Sequence, residues 1–262
     1  MRTRIAATAV AGALALGVFA APAAVAATPA PVAPKLVSAH VNSLVFGLGG
    51  TFTINIRVAA TDTDAATPGI KSIQALPIPA AYAKYGVTKD DFSGEPALKA
   101  VSTSATSQVA AESHTAPWTK GDHLPNALAG SYNVAVLITA KNGTTTLIPK
   151  ATTFTYKRAD VVSGKAVSTR VAKGRFVTLN GKLSRADWDK WVWQGYGYQK
   201  VALQYRKPGT STWVTKKWVT SNSKGLVSAA VRDYASGYWR FVYTGNAVSG
   251  AASSAQTWVT VK

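Results

Sequence analysis

Trp188, Trp191, Trp193, Tyr196 and Tyr198 fall within eleven residues, with Arg185 and Lys190 beside them. Trp and Tyr combine a flat apolar ring with a polar tip, which suits them to contact surfaces. As a binding platform, such a segment stacks its rings on sugars, offers phenols and carboxylates to hydroxyl groups, and draws phosphate or carboxylate to its cations. A structural reading is equally physical: the segment crosses the open end of a domain, its rings cover the core, and Gly195 and Gly197 let it turn. Replacing Trp188, Trp191 and Trp193 with Ala separates the two, since a platform loses binding with its fold intact and a scaffold loses stability.

Two other sets of residues are weighed for chemistry. Asp62 and Asp64 are acids on alternate positions just after a strand-like run, a pattern that can feed oxygen to Ca²⁺. The Gly and terminal Glu of an EF-hand loop are missing, so the competing reading is a solvated turn capped by Asp side chains. His114 and His123 flank Pro117 and Trp118, near Glu112 and Asp122, but their spacing matches neither a helical i, i+4 pair nor a zinc signature. With three His, eleven acids and no Cys, the chain offers no nucleophile paired with a positioned base. The expectation is a non-enzymatic protein with no catalytic residues. No cofactor is expected either, apart from the Ca²⁺ candidate at Asp62 and Asp64.

Charge separates the two halves. From Arg158 onward there are 17 Lys and Arg against four Asp, while residues 35–157 hold ten against seven acids; seven of the eight Trp also lie in the second half. The basic residues are scattered, giving a broad field and salt-sensitive attachment to polyanions. No recognition helix or RNA-reading strand motif accompanies them, so no specific nucleic acid is expected.

The elements that position these residues are strands. Val177, Leu179 and Leu183 share one parity, as do Val201, Leu203 and Tyr205, then Val227, Ala229 and Val231, then Trp239, Phe241 and Tyr243. Such alternation marks half-buried strands. Turn pairs such as Asn180-Gly181, Pro208-Gly209 and Lys224-Gly225 punctuate them. The count is about seven short strands, the rhythm of an immunoglobulin-like sandwich. The first half repeats the idea at Leu36–Val41, Thr51–Ala60, Ile70–Ala75, Tyr132–Ala140, Thr144–Ile148 and Thr152–Tyr156. There, Ala129-Gly130-Ser131-Tyr132 is similar to the approach to a tyrosine corner; Ser236-Gly237-Tyr238 is a looser echo in the second half. Trp258 shares parity with Thr260 and is placed outward, while Trp213 and Trp218 have opposite parity and cannot both point inward from a regular strand.

Gly181-Lys182-Leu183-Ser184-Arg185, Val201-Ala202-Leu203-Gln204-Tyr205-Arg206, Thr212-Trp213, Ser223-Lys224-Gly225 and Gly237-Tyr238-Trp239-Arg240 carry a resemblance. Together they resemble the immunoglobulin-like β-sandwich modules of exported actinobacterial proteins, especially those of Streptomyces. The likeness spans Val167 to Val261 and implies a sandwich used as a surface or adhesion module. It brings no catalytic residue.

The fold expected is all-β, with two tandem immunoglobulin-like β-sandwich domains after a cleaved N-terminal signal peptide. Residues 1–27 read as that signal: Arg2 and Arg4, an apolar run, then small residues before the cleavage point. Residues 28–34 form a Pro/Ala-rich spacer, residues 35–157 an N-terminal sandwich with an irregular insert at 76–121, residues 158–163 a linker, and residues 164–262 the basic, Trp-rich C-terminal sandwich. The product is secreted and extracellular, with cell-wall association and no membrane contact after signal cleavage. The partner expected is an anionic cell-wall polymer or polysaccharide, held by Arg185, Trp188, Lys190, Trp191, Trp193, Tyr196 and Tyr198. The alternative is a structural or protein-binding extracellular spacer, calcium-stabilised at Asp62 and Asp64, in which the N-terminal domain recognises a partner protein.

Overall fold

The computed structural model describes residues 30–121 and 124–262, so the signal-peptide reading of residues 1–27 lies outside the described residues. Eight strands build the N-terminal sandwich: β1 (Lys35–Val41), β2 (Leu44–Phe46), β3 (Thr51–Thr61), β4 (Ile70–Pro79), β5 (Lys99–Thr103), β6 (Ser107–Pro117), β7 (Gly130–Ala140) and β8 (Thr145–Arg158). One sheet has the order β1-β3-β6-β5 and the other β2-β8-β7-β4. Ten more strands build the C-terminal sandwich: β9 (Asp160–Ala166), β10 (Arg170–Val171), β11 (Phe176–Asp187), β12 (Val192–Gly195), β13 (Lys200–Arg206), β14 (Val214–Thr220), β15 (Leu226–Arg232), β16 (Gly237–Tyr243), β17 (Ala252–Ser253) and β18 (Thr257–Val261). Here β11 pairs with β9, β12 and β15, and the facing sheet runs β10-β18-β16-β13-β14.

The two sandwiches share a topology. In each, the first strand is split: its first part pairs antiparallel in one sheet (β1 with β3, β9 with β11), and its second part crosses over to run parallel with the last strand (β2 with β8, β10 with β18). That order, with the other strands antiparallel, is the immunoglobulin-like arrangement of two facing sheets. The chain is therefore all-β, and the fold rests on its own strand order.

Alternation fixes both cores. Val177, Leu179, Leu183, Val201, Leu203, Val227, Trp239, Phe241 and Tyr243 are buried together in the second sandwich, as their shared parities predict. Val58, Ile73, Val134, Val136, Ile138 and Phe154 fill the first. Strand β7 departs from the alternation because both its faces are covered: Ala135 and Leu137 point away from the main core and pack with Phe92 and Val87 from the connection after β4. The corner at Tyr132 forms as expected, its Oη donating to the Leu128 carbonyl at 3.0 Å, with burial pushing the phenol up to about 12. Its echo forms differently. The carbonyl of Ser236 accepts from Tyr205 on β13 at 3.0 Å, across the sheet.

Several boundaries differ from the sequence expectation. The insert at 76–121 is mostly regular: β4 continues to Pro79, β5 and β6 lie inside it, and β6 pairs with β3 over eleven positions from Thr51 opposite Pro117 to Thr61 opposite Ser107. Its Ser, Thr and Ala content hides a strand whose backbone ladder forms regardless of side-chain polarity. The runs Thr144–Ile148 and Thr152–Tyr156 are one strand, β8, kinked by a register shift against β7. No linker occupies 158–163, since β8 ends at Arg158 and β9 begins at Asp160. The spacer is fastened at its end: the Val32 amide donates to Asp64 Oδ2 at 2.9 Å, and its carbonyl accepts from Asn142 and Thr144, both at 3.1 Å. No helix among the described residues is long and apolar enough to cross a membrane.

Candidate functional site

The aromatic segment leaves the end of β11 and meets the N-terminal sandwich. Trp188 is fully buried, in a cluster with Phe46, Trp118 and Ala186 that Leu44, Phe52, Leu124, Tyr156 and Trp191 surround. Its ring meets Phe46 edge-on at 5.9 Å and Trp118 edge-on at 5.8 Å, and its Nε1 donates to the Phe46 carbonyl at 3.2 Å. Trp118 packs on Phe46 at 4.8 Å and donates from Nε1 to the Gly47 carbonyl at 3.0 Å. Edge-to-face packing of this kind adds about 0.5–1.5 kcal/mol per pair beyond the burial itself.

Hydrogen bonds tighten the contact. Asn126 Nδ2 donates to Asp187 Oδ1 at 2.8 Å, its Oδ1 accepts from the Trp188 amide at 2.9 Å, and its own amide donates to Asp189 Oδ1 at 3.1 Å. Arg158 Nε donates to the Ala186 carbonyl at 2.6 Å. Ala159, the one residue between β8 and β9, accepts from the Ala186 amide at 2.9 Å and donates to the Phe46 carbonyl at 2.7 Å. The loop is therefore a joint between the sandwiches. It neither stands free nor covers only its own domain.

The expected site residues part company here. Trp188 is withdrawn from any ligand by burial. Trp191 is half-buried, 5.9 Å from Trp118. Trp193, on β12, is 42% exposed and lies against Gly47 of the first sandwich. Tyr196 is capped by the Arg185 guanidinium at 3.8 Å, and its hydroxyl accepts from Asn246 Nδ2 at 2.8 Å. Lys190 and Tyr198 face solvent. Five rings close in sequence thus do not form one surface. The glycines also work differently from expectation: neither Gly195 nor Gly197 needs a positive φ, whereas Trp191 and Tyr198 take φ of 56° and 61°. Instead, a Cβ on Gly195 would lie 2.1 Å from the Lys224 carbonyl oxygen. Close approach of two backbones excludes a side chain there.

Buried charge collects at the joint. Burial and the nearby Arg185 lower the Arg158 pKa, opposed by Asp187, Asp160 and Asp189. Burial pulls Asp187 upward, but the Asn126 amide, the Lys190 N–H and the Arg158 charge hold it below its usual value. Asp160 makes no well-formed hydrogen bond among the described residues. Burial pushes it up to about 7, although Arg185, the Ser249 hydroxyl and Arg158 pull it down. A carboxyl raised in this way holds a proton in the folded state that the unfolded chain releases, so stability falls as pH rises from about 4 to about 7. Acidifying the wild-type protein from pH 7.5 to 5 is expected to raise its stability by ~2 kcal/mol, after allowance for solvent screening. Asp160→Asn should flatten that slope. Equal slopes in the two proteins by denaturant titration would contradict the assignment.

Asp62 and Asp64 are both buried, and their oxygens are committed to amides. Asp62 accepts from Asp64 at 3.1 Å and Gly69 at 3.0 Å; Asp64 accepts from Thr67 at 2.7 Å, Val32 at 2.9 Å and Ala66 at 3.0 Å. The Thr67 and Val32 amides hold the Asp64 carboxyl below its usual range. The pair shapes a turn, and Ca²⁺ there would compete with five N–H donors. His114 lies exposed on β6, while Asp122 and His123 are outside the described residues. The sequence reading missed Phe46, Asn126 and Arg158, whose partners lie 28 to 142 residues away.

No protein-family model matches the chain, and no curated protein matches it. Among solved structures, the fibronectin(III)-like modules of Clostridium thermocellum CbhA are similar at TM-score 0.38 and 12% identity, over 87% of this chain and 92% of that one. The D0-D1 domain of intimin is similar at TM-score 0.29 and 14% identity, over 86% and 98%. A superoxide reductase (neelaredoxin) from Ignicoccus hospitalis is similar at TM-score 0.29 and 12% identity, over 40% and 82%. At these values the likenesses carry no functional argument.

Proposed function

We propose that the chain is a secreted, non-enzymatic binding protein, in which a jointed pair of sandwiches attaches through its C-terminal half to anionic cell-envelope polymers or polysaccharide. One observation carries this reading. Three of the four acids of the C-terminal half are buried, Asp160 and Asp187 at the joint and Asp233 in a turn where its Oδ1 accepts from the Tyr234 amide at 2.9 Å; the fourth, Asp189, is exposed but sits at the joint, where it accepts from the Asn126 amide at 3.1 Å. The 17 Lys and Arg of that half therefore give the rest of its surface a field of one sign, which attracts polyanions at long range and weakens with salt.

A structural or protein-binding spacer is the second reading. The joint favours it, because it fixes how the N-terminal sandwich is presented, and a cleft of about 470 Å³ beside it is lined by Phe46, Phe52, Trp118, Leu124 and Tyr156. Co-sedimentation with bacterial cell walls, with and without their anionic polymers and across a salt series, decides between the two. Attachment predicts binding that is lost when the polymers or low salt are removed. No sedimentation at low salt would overturn it in favour of the spacer.

A further inference from the structure

Neither the core nor the joint uses the outer face of the β10-β18-β16-β13-β14 sheet. Register places Trp258, Tyr238 and Arg206 side by side across three strands, Arg240 beside Gln204 in a second row, and Trp218 opposite Ala202 near the far edge. Rings and guanidiniums interleave. Arg206 lies over the Tyr238 ring at 4.4 Å, Arg240 over Trp213 at 4.0 Å, and Tyr238 meets Trp258 edge-on at 4.9 Å.

Among the described residues the two arginines have no counter-charge as a hydrogen-bond partner. Arg240 donates from Nε and one terminal nitrogen to Gln204 Oε1 at 3.1 and 3.0 Å; Arg206 donates to Gln256 Oε1 at 3.0 Å and to the Thr210 carbonyl at 2.7 Å. Every one of these acceptors is neutral. No strand of this sheet contains Asp or Glu. Burial and the neighbouring Arg206 charge both lower the Arg240 pKa, as two cations left to face each other should. Next to them runs a shallow groove of about 430 Å³, lined by Arg240, Val242, Thr244 and Ala252.

The rings set the size of the ligand. Trp218 is 54% and Trp258 40% exposed, at opposite corners of the face. Three strand spacings across and four residues along separate them, about 20 Å on the diagonal. A ligand that reaches both rings is a polymer, and the guanidinium hydrogens not taken by Gln204, Gln256 and Thr210 suit carboxylates. We propose that this face binds an acidic polysaccharide, its uronate carboxylates on Arg206 and Arg240 and its pyranose faces stacked on Trp258 and Trp218. The inference rests on the envelope attachment proposed above and gives it a site and a ligand class.

The test measures binding of the full chain to polygalacturonate, with dextran as the neutral control and poly(dT) as the nucleic-acid control. Wild type should bind polygalacturonate in preference to both. Trp218→Ala with Trp258→Ala should weaken binding about tenfold or more, with the protein still folding cooperatively and its unfolding midpoint lowered only slightly, since Trp218 is exposed and Trp258 keeps one edge contact with Tyr238. Arg206→Gln with Arg240→Gln should weaken it as much and reduce its salt dependence. Lys165→Gln with Lys182→Gln removes equal charge from the opposite sheet and should change affinity by less than about twofold. Equal losses from the lysine and arginine pairs, wild-type affinity in the tryptophan pair, or preference for poly(dT) would overturn the site. Sedimentation with cell walls but no affinity for polygalacturonate would overturn this inference and leave the attachment standing; failure in both would remove the attachment as well.

Discussion

Trp188→Ala is expected to destabilise the protein by about 3–5 kcal/mol, the cost of deleting a large buried aromatic side chain. Trp188 has no solvent exposure, packs edge-on against Phe46 and Trp118, and donates its indole proton to the Phe46 carbonyl. The loss should appear as a lower denaturation midpoint and as loosening between the sandwiches, since the ring's partners belong to the first sandwich and its backbone to the second. Trp193→Ala, in the same segment but 42% exposed, should cost less than about 1 kcal/mol. A ligand platform would give the reverse: little change in stability from Trp188→Ala. Denaturant titration of the two variants therefore separates joint from platform.

Gly195→Ala carries the second large effect. The added methyl would sit 2.1 Å from the Lys224 carbonyl oxygen and 2.6 Å from its carbon. Both atoms are backbone, so no side chain can swing aside, and β12 would have to move away from the turn before β15. The expected cost is about 3 kcal/mol or more. Gly209→Ala is the control, since φ is +72° there but nothing lies within 4 Å; left-handed backbone alone should cost about 1 kcal/mol. Similar midpoints for the two variants would show that the Gly195 contact relaxes.

Local pattern made much of the fold legible in the sequence. The alternation of Trp239, Phe241 and Tyr243 placed β16 and its inward face, and Ala129-Gly130-Ser131-Tyr132 announced a corner that the Tyr132 hydroxyl closes. The outward placement of Trp258 also holds. The polar strand β6 escaped because its Ser, Thr and Ala residues give no hydrophobic period, although its backbone pairs fully with β3. The joint escaped for a different reason. The density of rings from Trp188 to Tyr198 was visible, but their use depends on Phe46, Trp118 and Asn126, which only the tertiary fold brings near. A buried ring and a ligand-stacking ring have the same one-letter code, and parity arguments fail in a segment that leaves its strand. The Arg206, Arg240 and Trp213 stack escaped for the same reason: it joins strands far apart in sequence, where no spacing rule applies.

The central claim is that the aromatic segment fastens the two sandwiches into one body. Backbone ¹⁵N relaxation measured over the whole chain tests it most directly. A single rotational diffusion tensor should fit β1 to β8 and β9 to β18 together in the wild type, and separate, faster tumbling should appear in Trp188→Ala. Independent tumbling of the two sandwiches in the wild-type protein would contradict the joint and return Trp188 to the surface.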